Sequence, residues 1–299
     1  MVERHSDVVR TMWTLLEEGS ARVDSVWPGD GPVRLHALEA GQGPPLLLLH
    51  GAGGGAANWF ATIAALSSAH RVIAPDLPGF GLSLPIEFEP PFGAALARVL
   101  LEWLSRRGIS NMHVAGTSLG GLIALQMAVR ARERLKSVVL IDAAGLGREL
   151  PAAVRLATLP GAHGLAGSTG RPGLRLFFQR YLTSSDVPAQ RRDKLLSYIR
   201  ACALAGTGEM LAANIARFAS IRGQREVVGD DALSMIAVPL LVLWGERDRF
   251  IPPSHGARAA ALAADARFVT IPGVGHSPNW EAPDRVAGEI LRFTAGLRP

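Results

Sequence analysis

Ser118 stands in the run Met112-His113-Val114-Ala115-Gly116-Thr117-Ser118-Leu119-Gly120-Gly121, where an apolar stretch breaks into Gly-x-Ser-x-Gly. Glycines two before and two after a serine let the chain turn sharply from a strand into a helix. Such a turn holds the serine strained, with its oxygen projecting above the sheet edge. A serine hydroxyl is a weak nucleophile and needs a base beside it and a carboxylate to orient that base. His276, in Val274-Gly275-His276-Ser277-Pro278, and Asp248, in Trp244-Gly245-Glu246-Arg247-Asp248, have the required types. Each follows an apolar run that reads as a strand, so all three fall at C-terminal strand ends, where open α/β sheets bind ligands. The chemistry implied is attack of Ser118 on a carbonyl, with His276 as base and Asp248 as orienting acid.

Each residue has a structural reading too: Gly120-Gly121 can serve close helix packing, Asp248 can cap a helix, and His276 can be a turn residue. The order Ser, Asp, His at three strand ends favours the triad. Asp142, after another strand, is the competing acid and reads as a turn carboxylate; Glu246 reads as structural. A tetrahedral intermediate needs donors for its oxyanion. The backbone N–H of Leu119, heading its helix, is one. The loop His50-Gly51-Ala52-Gly53-Gly54-Gly55 offers the second at Ala52, with Gly51 and Gly53 letting backbone approach substrate. His50 itself reads as a strand-end histidine bonded to loop backbone. The same loop gives a rival reading, because Gly51-x-Gly53-x-x-Ala56 with Asp76 outlines a dinucleotide fingerprint. It follows a hairpin instead of opening the fold, and Asp76 continues into Leu77-Pro78-Gly79-Phe80-Gly81, a rigid turn that such a carboxylate ties down.

Placing these residues requires a mostly parallel α/β sheet with helices on both faces. Strands are expected over 22–27, 33–40, 46–49, 71–75, 112–115, 137–141, 239–244 and 267–271. Helices are expected over 7–18, 58–67, 91–107, 119–131, 254–264 and 283–297. Between Gly145 and Pro239 the alternation stops, and helical patterns run over 174–182, 189–205 and 209–221. This gives an N-terminal helix (1–21), a core (22–146 and 238–299) and a helical cap (147–237) inserted before the penultimate strand.

The chain has 299 residues, 48% of them apolar, enough for one large core with an insertion. No run approaches the ~20 apolar residues of a membrane span, and the charged N-terminus does not read as a signal peptide. With Cys202 the single cysteine, a cytoplasmic location is expected. The net charge of +5 comes almost wholly from dispersed arginines without interleaved aromatics, which argues against nucleic-acid binding. No histidine or cysteine spacing suggests a metal, and no cofactor is implied. The cap carries twelve basic residues against seven acidic. Arg175, Arg180, Arg191, Arg192 or Arg200 could pair with a substrate carboxylate, although solvated arginines are the commoner reading for any one of them. Phe177, Phe178, Tyr181 and Leu182 read as cap packing; Met210, Leu211 and Phe218 are weaker pocket candidates.

Taken together, His50-Gly51 with Trp59, Asp76-x-Pro78-Gly79-x-Gly81-x-Ser83, Gly116-x-Ser118-x-Gly120-Gly121, Gly245-x-x-Asp248 and Gly275-His276 resemble the α/β-hydrolase superfamily. The resemblance implies a serine hydrolase cleaving a small to medium ester or lactone of carboxylesterase type. Gly-x-Ser-x-Gly-Gly and His276 followed by Trp280-Glu281 are also similar to meta-cleavage-product hydrolases, which implies carbon–carbon bond cleavage and a pocket role for Trp280. Thr117 stands where those enzymes have asparagine, and Ser277 where they have an aromatic residue. Cofactor-free haloperoxidases share the triad, and some members of the fold only bind ligands. The expected partner is a small molecule, and the N-terminal helix is a candidate homodimer contact.

Overall fold

A computed structural model describes residues 9–14, 16, 23–27, 33–159, 176–184, 187–202 and 216–297. The sheet grows from short, strongly apolar segments. In β3 (Pro45–Leu49), Leu46 to Leu49 are all fully buried. A strand apolar on successive residues must be covered on both faces. Its neighbours are β4 (Arg71–Pro75) and β5 (Met112–Thr117), followed outward by β6 (Leu135–Ile141), β9 (Leu240–Gly245) and β10 (Ala266–Ile271). These six are parallel, in the order β4-β3-β5-β6-β9-β10. Two antiparallel strands, β1 (Asp24–Val26) and β2 (Ala37–Ala40), extend the sheet beyond β4.

The helices cover both faces. On one, α2 (Phe92–Arg106), α3 (Leu119–Arg130) and α7 (Pro253–Leu262) enclose a core that includes Leu100, Trp103, Leu122 and Trp244. On the other, α1 (Phe60–Leu66), preceded by a 3₁₀ turn at Ala56–Trp59, packs beside α9 (Pro283–Gly296) over Trp59, Leu46, Leu48 and Ile290. Residues 9–14 and 16 are helical, as the spacing predicts, and bury Met12 and Leu16 in this second core.

Between β6 and β9 the described chain forms α4 (Ala152–Leu156), a π-helical turn at Phe178–Leu182, α5 (Ala189–Cys202), the hairpin β7 (Ala219–Ser220) with β8 (Gly223–Gln224), and α6 (Asp230–Ser234). Two expectations change here. The 174–182 pattern yields a π turn in place of an α-helix. The 209–221 pattern ends in a hairpin: Gly223 adopts φ +101, and a Cβ there would lie 1.9 Å from the Arg148 carbonyl oxygen. Arg175, Met210 and Leu211, and the side chains of Phe178, Arg191 and Arg200, lie outside the described residues.

Adjacent parallel strands β3 and β4 follow one another, whereas β5 pairs with the opposite edge of β3. That reversal opens a crevice at the C-terminal ends of β3 and β5, the usual ligand position in such sheets.

Candidate active site

Ser118 heads α3 with φ 52 and ψ −114, a left-handed conformation rare for a side-chain-bearing residue. The turn is held by three backbone bonds. The Ser118 N–H donates to the Ile141 carbonyl (3.0 Å), and the Ser118 carbonyl accepts from Leu122 (3.1 Å) and Ala144 (3.0 Å). Flanking glycines are needed because backbone crowds them. A Cβ at Gly116 would lie 2.1 Å from the Gly120 carbonyl oxygen, and one at Gly120 2.2 Å from that of Leu49. The motif thus encodes the crossing of β5, α3 and β3.

His276 follows β10 and Asp248 follows β9, as their strand ends require. His276 Nδ1 lies 2.7 Å from Asp248 Oδ2, and His276 Nε2 lies 3.1 Å from Ser118 Oγ. Asp248 Oδ1 also accepts the N–H groups of Phe250 (2.7 Å) and Ile251 (2.9 Å). A carboxylate with donors on both oxygens accepts from His276 as well, so the imidazole proton sits on Nδ1 and Nε2 is left to accept from the serine. His276 and Asp248 are buried, and the Phe250 ring lies 4.7 Å from that of His276.

Asp142 lies at the end of β6 with φ 43, fully buried. Its Oδ1 accepts the Gly245 N–H at 2.8 Å, and Oδ2 has no partner. Burial and then the neighbouring Asp248 charge push its carboxyl well above the usual range. It lies behind the Ser–His–Asp line, held by the Gly245 N–H, and Asp248 is the carboxylate bonded to His276 Nδ1, so Asp142 is not the group that orients the imidazole. Donor atoms of Asp142, Asp248 and His276 converge within 4.8 Å, close enough to hold a cation. Both ring nitrogens of His276 and both oxygens of Asp248 are already hydrogen-bonded, so the cluster reads as a proton network.

The β3 loop lies against Ser118: a Cβ at Gly51 would be 3.2 Å from Ser118 Cβ and 3.8 Å from its Oγ. His50 accepts the Leu77 N–H on Nε2 (2.9 Å), so its Nδ1–H donates to the Gly51 carbonyl (2.8 Å). Peptide planarity then aims the Ala52 N–H away from His50. Burial lowers the pKa of His50, against Asp76 and the Gly51 carbonyl, and keeps it neutral for this task. Ala52 is exposed, and Gly53 adopts φ 83. Leu119, as the first residue of α3, has an N–H without an intrahelical partner. Asp76 accepts the N–H groups of Ala56 (2.5 Å) and Leu82 (2.8 Å) on opposite oxygens. Its carboxylate is thus spent on tying loops together, which removes the dinucleotide reading.

Glu281 has a larger part than the sequence disclosed. Its carboxylate accepts the N–H groups of Gly275 (3.0 Å) and Ser277 (3.1 Å), the residues on either side of His276. It also accepts the Ser184 N–H (2.8 Å) from the insertion. The visible signal was its position five residues after His276; the partners are backbone groups that no motif displays. Trp280, expected in the pocket, is buried in the core, its ring 4.8 Å from Phe60. Glu246 points to the Gly273 N–H (2.9 Å), a structural tie as expected.

From the insertion, Phe177 packs 5.2 Å from Tyr181 and 6.2 Å from Phe250, the ring that covers His276. Beside it lies a cavity of about 510 Å³ lined by Glu149, Arg180, Tyr181, Asp248, Arg249 and Phe250, among others. Arg180 is exposed, with its guanidinium 5.5 Å from the centre of the Tyr181 ring. Phe218 is buried in the first core and does not line this cavity.

The model of the alpha/beta hydrolase fold family matches residues 44–283, which contain the nucleophile turn, both partner loops and the insertion. The chain belongs to that family. Among relatives of this α/β hydrolase is the 2-hydroxy-6-oxo-6-phenylhexa-2,4-dienoate hydrolase of Burkholderia cepacia, 30% identical over 282 residues, covering 88% of this chain and 91% of that protein. Solved structures of similar fold include a carboxylesterase from Bacillus subtilis (TM-score 0.81, 23% identity, 98% of this chain and 99% of that one). Another is the 2-hydroxy-6-oxo-6-phenylhexa-2,4-dienoate hydrolase of a Rhodococcus strain (TM-score 0.79, 23% identity, 92% and 100%). Among the described residues, no helix of this α/β hydrolase is long and apolar enough to cross a membrane.

Proposed function

We propose that this α/β hydrolase is a serine hydrolase that cleaves a small to medium carboxylic ester or lactone through an acyl-enzyme. The carrying observation is the hydrogen-bonded line from Ser118 through His276 to Asp248, with Ser118 strained at the start of α3. His276 Nε2 takes the hydroxyl proton as Ser118 Oγ attacks the carbonyl. The N–H groups of Leu119 and Ala52 receive the oxyanion. His276 returns the proton to the leaving alcohol, then activates water to release the acid. Asp248 keeps the imidazole in the useful tautomer throughout. The insertion acts as a cap that selects substrate, with Gly51 and Gly53 giving the carbonyl room. Arg180 and Arg249, beside the cavity, suit a substrate that carries a carboxylate.

The second reading is hydrolysis of a carbon–carbon bond in a vinylogous diketo acid. The 30% identity to a dienoate hydrolase over most of both chains favours it; Thr117 before the nucleophile and Ser277 after the histidine favour the ester. A panel of p-nitrophenyl esters of increasing chain length, lactones and a vinylogous diketo acid separates them. Ester turnover exceeding diketo-acid turnover is expected, with both abolished by Ser118→Ala. Turnover confined to the diketo acid would overturn the ester assignment.

A further inference from the structure

Away from the active site, a second serine, histidine and aspartate stand in the same relation. His36 Nδ1 lies 2.7 Å from Asp76 Oδ2, and His36 Nε2 lies 2.8 Å from Ser25 Oγ. The β1–β2 register produces this. Ser25 pairs with Leu38, and His36 is two residues before Leu38, so Ser25 and His36 share one face of the sheet. Asp76 is buried and fixed by the N–H groups of Ala56 and Leu82, and the His36 backbone is fixed through Ser83. Burial alone would raise the Asp76 carboxyl. The hydrogen bonds it accepts, from His36 first and then from the Leu82 N–H, outweigh that and hold the group below its usual value. A carboxylate facing Nδ1 puts the imidazole proton there and leaves Nε2 as acceptor for the serine O–H.

Loop anchoring accounts for Asp76 and for a histidine against it. It does not account for a serine bonded to the far ring nitrogen at the protein surface. Ser25 is exposed while His36 is fully buried, so a base is presented to an accessible hydroxyl. Trp27 is 45% exposed beside it, its ring 5.5 Å from the His36 ring, and offers an aromatic surface to an aryl group.

We propose that Ser25 is a second acyl-accepting nucleophile, activated by His36 and Asp76, which takes acyl groups from aryl esters. Ser25 Oγ attacks the ester carbonyl and gives its proton to His36 Nε2. The acyl–oxygen bond to Ser25 forms as the bond to the aryloxide breaks, and the aryloxide leaves with that proton as the phenol. Ser25 lies on an edge strand, so it has no helix-start N–H like that of Leu119 to receive the oxyanion. Losing such a donor costs about 10²- to 10³-fold. Formation and hydrolysis of the adduct both pass through an oxyanion, so both are slow, and with an activated aryl ester in excess the adduct builds up faster than it is hydrolysed.

The test uses full-length Ser118→Ala protein, incubated with excess p-nitrophenyl acetate and mapped by peptide mass spectrometry. One acetyl group on Ser25 is expected, absent from the Ser118→Ala/Ser25→Ala double variant and slowed at least tenfold by His36→Gln in the same background. Ser25→Ala alone leaves ester turnover by the intact enzyme unchanged. Acetyl groups confined to Lys136, Lys194 or the N-terminus, with Ser25 unmodified, would overturn the proposal. So would equal Ser25 labelling with and without a folded His36→Gln. Because the readout is a mapped adduct, it does not depend on the role proposed for Ser118.

Discussion

Asp248 and Asp142 end neighbouring strands, and their environments drive them to opposite roles. Asp248 faces three donors, whereas Asp142 has one donor, one orphaned oxygen and the Asp248 charge beside it. Asp248→Asn places an amide N–H against His276 Nδ1, so the imidazole proton moves to Nε2, and that nitrogen can no longer accept from Ser118. A loss of kcat of about 10⁴-fold is expected. Asp142→Asn keeps an acceptor for the Gly245 N–H and leaves the His276–Asp248 contact in place, so its loss stays within about tenfold. Initial rates with p-nitrophenyl acetate compare the two; a larger loss for Asp142→Asn would reverse the assignment. The hydrogen-bonded line of Ser118, His276 and Asp248 was legible in the sequence because Ser, Asp and His are chemically distinctive and stand beside strand-like runs. Which aspartate touches the histidine was not decided by spacing alone, because both follow strands. Desolvation and contact made the difference.

The elements that carry these residues were read from apolar runs bounded by glycine and proline. β3, β4, β5, β6, β9 and β10 lie within two residues of the expected positions. The insertion was less legible. Its π turn at Phe178–Leu182 and the hairpin ending in Gly223 are set by packing and by the Arg148 carbonyl, not by local periodicity. Glu281 belongs to this scale, since one carboxylate on α8 (Pro278–Glu281) joins the His276 loop to the insertion at Ser184. Glu281→Gln replaces one acceptor oxygen with a donor facing backbone N–H groups. The His276 loop then shifts, and kcat falls by about 10- to 10²-fold, the cost of a misplacement near 1 Å. KM changes less. Steady-state kinetics check this against a thermal melt, and a melting point lowered with kcat unchanged would leave Glu281 a purely structural tie.

At the scale of the molecule, the two cores on either side of the sheet hold several buried imidazoles neutral. His113, at the start of β5, is pushed down to about 4 by burial, then by His70 and Lys136; burial likewise lowers His70 and His50. In the unfolded chain histidines titrate near 6.5. Between pH 6.5 and 4 the unfolded state therefore binds more protons, and stability present above 6.5 is lost as pH falls through that window. His113 alone accounts for about 3 kcal/mol of this. Urea unfolding at pH 7 and pH 4.5 measures the loss, and His113→Gln should remove part of it; an identical loss in that variant would assign it to other groups. The proposal that unites these scales is that the sheet, the Ser118 turn and the insertion converge to make Ser118 the serine whose acylation leads to turnover. The direct measurement is to quench the enzyme during turnover of a p-nitrophenyl ester and locate the acyl group by mass spectrometry. The acyl group is expected on Ser118 within a burst equal to the enzyme concentration, and to persist when His276→Gln blocks water activation after slow loading. Full turnover with Ser118 unmodified, or retained by Ser118→Ala, would contradict the account.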